Sequence, residues 1–210
     1  MSSASTSSTD EWLDPDTALH PKMQLFISFD LIGSTAIKQK ARDDEGGSLA
    51  WVKHISDFLA EIPVIYVSSY EDIVRRCCTV TECVNSDKSC LLKESDYYQN
   101  IEVWKYIGDE AVLTTELKCD KGKQPLLHLL AVRNALDVLN QKFEKTPDRM
   151  SFKGCVWVAG FPVGNVAMDL PMSRGSGEKI RDYLGPSIDI GFRLAHHSTE
   201  ERIADRKSVV

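Results

Sequence analysis

Residues 24–35 read QLFISFDLIGST. Leu25, Ile27 and Phe29 fall on one side and Phe26, Ser28 and Asp30 on the other, the period of a β-strand. The run is apolar enough to be a buried strand, and it ends on a carboxylate. Gly33 breaks it, and Ser34 or Thr35 can cap a following helix. An acidic strand end followed at once by a helix start is chemically apt for a phosphate group. Asp30 can hold Mg²⁺ or Mn²⁺, and the first N–H groups of the helix, around Ser34 and Thr35, can meet phosphate oxygens.

Working outward, residues 43–47 read as a turn and Ser48 to Ile62 as an amphipathic helix, with Leu49, Val52, Ile55, Leu59 and Ile62 three or four apart. VIYVSS (64–69) is compatible with a strand. The Cys- and charge-rich stretch 70–98 has no clear period and reads as an insertion of one helix plus loops. IEVWKY (101–106) and AVLTTEL (111–117) alternate again, and Gly108-Asp109 between them predicts a hairpin corner. Pro125 opens a helix that runs to about Lys145, SFKGCVWVA (151–159) is a strand, and a Gly-, Pro- and Met-rich loop follows to about Lys179. Gly185-Pro186 is a turn before a helix from Ser187 to Ala195, and the final KSVV resembles the start of a strand. Strand, helices, hairpin, helix, strand, helix is an α+β order, with one sheet and helices packed on a face.

The chain has 210 residues, 42% hydrophobic and 27% charged, the balance of a packed globular protein. Its net charge of −6 argues against wrapping nucleic acid. No apolar run is long enough for a membrane span, and the polar start MSSASTSSTDEW is not a secretory signal. Residues 1–20 are expected to be a disordered tail, 21–210 one domain, and the location cytoplasmic. The six cysteines form no CxxC pair and are expected to stay reduced thiols.

Two further segments join residues 24–35. In WKYIGDE (104–110), a hairpin corner can bring Asp109 against the end of the neighbouring strand, since strands in a sheet lie ~4.8 Å apart. Two carboxylates there could grip two metals, and Lys105 precedes them on the hairpin arm. In DYLGPSIDIGFR (182–193), Asp189 and Arg193 are four apart and share one helix face. Arg193 offers a planar fork to phosphate. Each segment alone has an ordinary reading: Asp30 a helix cap, Asp109 a turn residue, Asp189 and Arg193 a surface ion pair worth at most ~1 kcal/mol. The weight lies in all three occurring in one order on one sheet.

FISFDLIGST, WKYIGDEAVL and DYLGPSIDIGFRL resemble the three signature regions of class III adenylate and guanylate cyclases, over about residues 24–198. The resemblance implies a ferredoxin-like core and a head-to-tail homodimer with active sites between the subunits. It implies two divalent metal ions, Mn²⁺ or Mg²⁺, held by Asp30 and Asp109 with the backbone of Leu31. Lys105 and Asp182 match the residues that read the base from the other subunit, and Arg193 the arginine that stabilises the transferring phosphate. Asp189 stands where the family usually has a ribose-orienting asparagine.

The chain departs from the family pattern in several places. The span from Asp30 to Asp109 exceeds that of a compact cyclase. Phe192 replaces a small residue, Pro186 follows Gly185, and a phosphate-binding lysine of the family would fall beyond residue 210. In these features the chain is most similar to the Pycsar pyrimidine cyclases of bacterial antiphage defence. Those make cyclic UMP or cyclic CMP for a separate effector protein. Bulky Phe192 and Tyr183 would narrow the pocket toward a pyrimidine, and Lys105 could donate to a uracil carbonyl. The Lys105–Asp182 combination also matches the adenine readers of adenylate cyclases, which keeps cyclic AMP as an alternative product. A nucleotide-binding domain without turnover and a scaffold using the Cys-rich stretch are the non-enzyme alternatives.

Overall fold

A computed structural model describes residues 21–43, 47–84, 100–118, 122–144, 150–172, 179–199 and 204–205. The tail 1–20, the later part of the expected insertion and the final KSVV lie outside the described residues. The elements run β1 (Lys22–Ile32), α1 (Ser34–Asp43), α2 (Gly47–Val84), β2 (Glu102–Ile107), β3 (Glu110–Leu117), α3 (Gln124–Phe143), β4 (Ser151–Phe161), β5 (Val166–Pro171), β6 (Lys179–Leu184), α4 (Pro186–Ala195) and β7 (Ala204–Asp205).

The main sheet has the order β2-β3-β1-β4-β7, and β5 and β6 form a separate antiparallel ribbon. β1 pairs antiparallel with both β3 and β4, and β2 with β3. Only the short β7 joins in parallel, along β4. Strands one to four with their helices therefore trace a β-α-β-β-α-β path in ferredoxin-like order. The fold is α+β, as expected.

β1 sits at the centre because both of its faces are apolar. Leu25, Ile27, Phe29 and Leu31 lie under α2 and α3, against Phe58, Ile62, Tyr66, Val132, Leu136 and Leu139. Phe26 points the opposite way, into a cluster with Trp157, Phe161, Tyr183, Ile188 and Leu194. The two long helices share one face, as the patterning implies, and the short α4 covers the other together with the β5–β6 ribbon.

Three expectations change. VIYVSS is not a strand: residues 64–69 continue α2, which runs 38 residues with Pro63 inside it. The buried positions Phe58, Ile62, Tyr66, Tyr70 and Val74 are four apart, so burial of a helical stripe outweighs the β-propensity of Val64, Ile65 and Val67. Residues 70–84, placed in the insertion, belong to the same helix, and Tyr70 and Val74 are part of the core. The Gly-, Pro- and Met-rich loop also contains a strand, β5, held against β6 by an Asp169–Arg181 ion pair of 3.0 Å.

Candidate active site

The hairpin corner forms where the sequence places it. Gly108 takes φ 66°, a left-handed backbone that glycine adopts without a Cβ penalty, and the chain turns from β2 into β3. This sets Glu110 directly opposite Asp30 across the β1–β3 ladder. Asp109 is at the corner itself. At the end of β1, Gly33 (φ 75°) turns the chain into α1. Ser34 is half-buried there and Thr35 exposed.

Each of the two expected metal-binding carboxylates meets a lysine. Lys153 Nζ lies 3.1 Å from Asp30 Oδ2, across the β1–β4 ladder. Lys38 Nζ of α1 lies 3.3 Å from Asp109 Oδ1. Glu110, which sequence reasoning did not single out, accepts a 2.5 Å hydrogen bond from Ser28 Oγ. Burial pushes its carboxyl above the usual range; the Ser28 hydrogen bond opposes this, and the nearby Asp30 charge adds to it. An open cleft of about 400 Å³ is lined by Asp30, Leu31, Ile32, Gly33, Lys153, Ser198 and Thr199.

These residues suit a hard divalent cation. Carboxylate oxygens are the donors that Mg²⁺ and Mn²⁺ take. Both carboxylates already attract a cationic side chain, and Asp30 lies near enough to Glu110 to disfavour its ionisation. No ready-made cluster of three or more His, Cys, Asp or Glu side chains occurs among the described residues.

The second group forms on β2 and β6. Lys105 Nζ donates to Asp182 Oδ1 at 2.6 Å. The same oxygen accepts from Trp104 Nε1 at 3.2 Å and from the Tyr183 backbone N–H at 2.9 Å. Lys105 Nζ also lies 3.9 Å from the Trp104 ring centre, a cation–π contact. Three donors on one oxygen hold the Asp182 carboxylate in place, and the side chain stays a quarter exposed.

Below this pair lies an aromatic floor. Trp104 packs edge-on against Phe26 and Tyr183, at 5.1 and 5.2 Å. Phe192 of α4 reaches Trp104 at 5.9 Å and Trp157 at 5.6 Å. α4 can approach this closely because residue 191 is glycine: a Cβ there would stand 2.2 Å from the Trp157 indole. Asp189 and Arg193 are exposed on the same helix, and among the described residues no ion pair joins them. The structure thus places Asp30 with Lys153 and Glu110, Asp109 with Lys38 at the neighbouring hairpin corner, and Lys105 with Asp182 in a separate group. Among the described residues no ion pair joins Arg193 or Asp189 to any of these.

No protein-family model matches the sequence, and no curated protein matches it. Among solved structures, a guanylyl cyclase is similar at TM-score 0.49 and 11% identity, over 90% of this chain and 77% of that one. A bacterial light-regulated adenylyl cyclase follows at 0.45 and 14%, over 85% and 71%. The guanylate cyclase domain of a protein from Catenaria anguillulae, solved with GTP, is similar at 0.46 and 13%, over 90% and 81%. At TM-scores below 0.5 nothing of their chemistry carries over, and the site stands on its own residues.

Proposed function

We propose that the chain is a metal-dependent nucleotidyl cyclase domain that converts a pyrimidine nucleoside triphosphate, UTP ahead of CTP, into a 3′,5′-cyclic mononucleotide and pyrophosphate. The observation that carries this reading is the meeting of Lys105 and Asp182. They are distant in sequence, yet they form one fixed donor–acceptor pair at 2.6 Å on an aromatic floor, on a chain that also presents Asp30 in an open cleft and Asp109 at the hairpin corner.

In this reading Asp30 and Asp109 hold the cations, with the backbone of Leu31, and the α1 start at Ser34 and Thr35 faces the phosphates. Bound divalent cations would supply charge neutralisation for the triphosphate and a lowered pKa for the ribose 3′-hydroxyl. The 3′-oxygen attacks the α-phosphorus in line as pyrophosphate leaves. Lys105 and Asp182 read the base edge. Arg193 stabilises charge on the transferring phosphate, and Asp189 orients the ribose.

Arg193 and Asp189 are exposed, and among the described residues no ion pair joins either to Asp30 or Asp109. This supports a head-to-tail homodimer in which they act on the partner's substrate. Phe192 and Tyr183 crowd Trp104 beside the base readers, which favours a smaller base. The reading extends to a cytoplasmic antiphage role, with the cyclic nucleotide passed to a separate effector protein. No helix among the described residues is long and apolar enough to cross a membrane.

A second reading has its own observation. A Lys–Asp pair can also read adenine, with the acid accepting from the exocyclic amine and the lysine donating to a ring nitrogen. A competition assay with equal ATP, GTP, CTP and UTP and added Mn²⁺, analysed by mass spectrometry, separates the two. Cyclic UMP or cyclic CMP as the main product is expected. Faster formation of cyclic AMP would overturn the pyrimidine reading, and no cyclic product would leave a binding domain whose carboxylates are permanently held by lysines.

A further inference from the structure

The two lysines on the metal-side carboxylates are not equivalent. Lys153 is part of β4, its side chain is 18% exposed, and it also donates to the Ala195 carbonyl at 3.4 Å. It is anchored by the sheet and by the end of α4. Lys38 comes from the short helix α1, and its side chain is 39% exposed. Its Nζ lies between two partners on different elements: Asp109 at the hairpin corner, at 3.3 Å, and the Trp51 ring of α2, at 4.8 Å from the ring centre. The Asp109 side chain is only 16% exposed. A half-buried carboxylate left without a counter-charge is costly, so something must neutralise Asp109 whenever no metal is bound.

We propose that Lys38 is the built-in counter-ion of Asp109, and that a divalent cation binds this carboxylate by displacing the Lys38 ammonium while Trp51 steadies the released side chain. The inference rests on the reading of Asp109 as a metal-binding carboxylate and adds a residue to it. Lys38 and the cation compete for one carboxylate and repel one another, so both effects act in the same direction. Lys38 thereby makes the site bind metal more weakly than its oxygen donors alone would, and it ties metal entry to a shift of the α1 side chain against α2. Arginine at this position preserves the charge, whereas methionine preserves the aliphatic stem and loses it.

The test is Mn²⁺ binding to the full chain without nucleotide, read from the electron paramagnetic resonance signal of free Mn²⁺. It compares wild type, Lys38→Met, Lys38→Gln and Lys38→Arg, each checked for folding by circular dichroism. Loss of the charge is expected to tighten Mn²⁺ binding about fivefold, the scale of one partly exposed ion pair, with Lys38→Arg staying near wild type. Addition of Mg²⁺ should change tryptophan emission in wild type and leave it unchanged in Lys38→Met and in Trp51→Phe. If wild type binds Mn²⁺ and the uncharged variants bind it equally or more weakly, Lys38 is not a competitor and the proposal fails alone. If wild type and variants all fail to bind, the metal-site reading falls and the proposal with it.

Discussion

Under α2 and α3, the sheet presents Leu25, Ile27 and Phe29 to a largely apolar layer in which Phe58 stacks on Phe152 at 4.4 Å. On the opposite side the same strands present Phe26 and Trp157 to α4 and the β5–β6 ribbon, and around that cluster stand Asp30, Glu110, Lys105 and Asp182. The helix side has buried polar groups too, and two of them pair internally: Tyr66 and His128 share a 2.6 Å hydrogen bond, and Tyr70 stacks on the imidazole at 4.2 Å. On the other side the polar groups sit at the rim, half-exposed and paired with side chains that a ligand could replace. One face of the sheet stores stability, and the other holds groups whose partners can be exchanged.

That contrast can be broken in three places. The largest effect is expected on the helix side. Phe58→Ala removes a ring packed between Phe143 and Phe152 and should cost about 3–5 kcal/mol of stability by urea denaturation. The base preference of the folded fraction should not change. Gly191→Val tests the other face. Its side chain would enter the Trp157 indole, so α4 must shift and Phe192 with it. A loss of about 3 kcal/mol, the upper end for overpacking, should come with an altered ratio among the nucleotide products. If the ratio holds while stability falls, Phe192 does not shape the base site.

The third test is acidification. Burial pushes His128 down from 6.5 to about 3, so the folded protein holds it neutral while the unfolded chain takes up a proton. Its contribution is complete above pH 6.5 and is lost as pH falls toward 3, about 2 kcal/mol between pH 7 and pH 5. Glu110 has the opposite sign. Its raised carboxyl favours the folded state at low pH, and that contribution fades as pH rises through its folded value. Denaturation midpoints at pH 7 and 5 should therefore differ less in His128→Gln than in wild type, and more in Glu110→Gln. Equal differences in all three proteins would remove the pH distinction between the faces.

The sequence already shows much of this division. Period-2 alternation gives β1, β2 and β3, and the apolar stripe after Pro125 gives α3. Gly108-Asp109 marks the corner because glycine is suited to that backbone angle. The length of α2 is hidden because Val64, Ile65 and Val67 resemble a strand locally. Only the four-residue spacing of Ile62, Tyr66, Tyr70 and Val74 shows where the side chains go. At the site, the expected carboxylates and base readers can be read from motifs. Lys38, Lys153 and Glu110 cannot, because their contacts depend on how α1 packs and on strand register. Lys153 faces Asp30, and Glu110 faces it from the other side, only once β4 and β3 are aligned along β1. The Asp182 partner of Trp104 depends in the same way on the β5–β6 ribbon lying over the sheet.

The central claim is that Asp30 and Asp109 serve cation-dependent chemistry on a nucleotide. It is tested most directly by release of pyrophosphate from UTP and CTP in the presence and absence of Mn²⁺, in wild type, Asp30→Ala and Asp109→Ala. Mn²⁺-dependent release is expected in wild type, with a loss of roughly 10³-fold in either variant, the scale set by removing a group that stabilises transition-state charge. Both variants should remain folded, since each loses only one partly exposed ion pair. Release that persists in Asp30→Ala and Asp109→Ala, or that needs no metal in wild type, would contradict it.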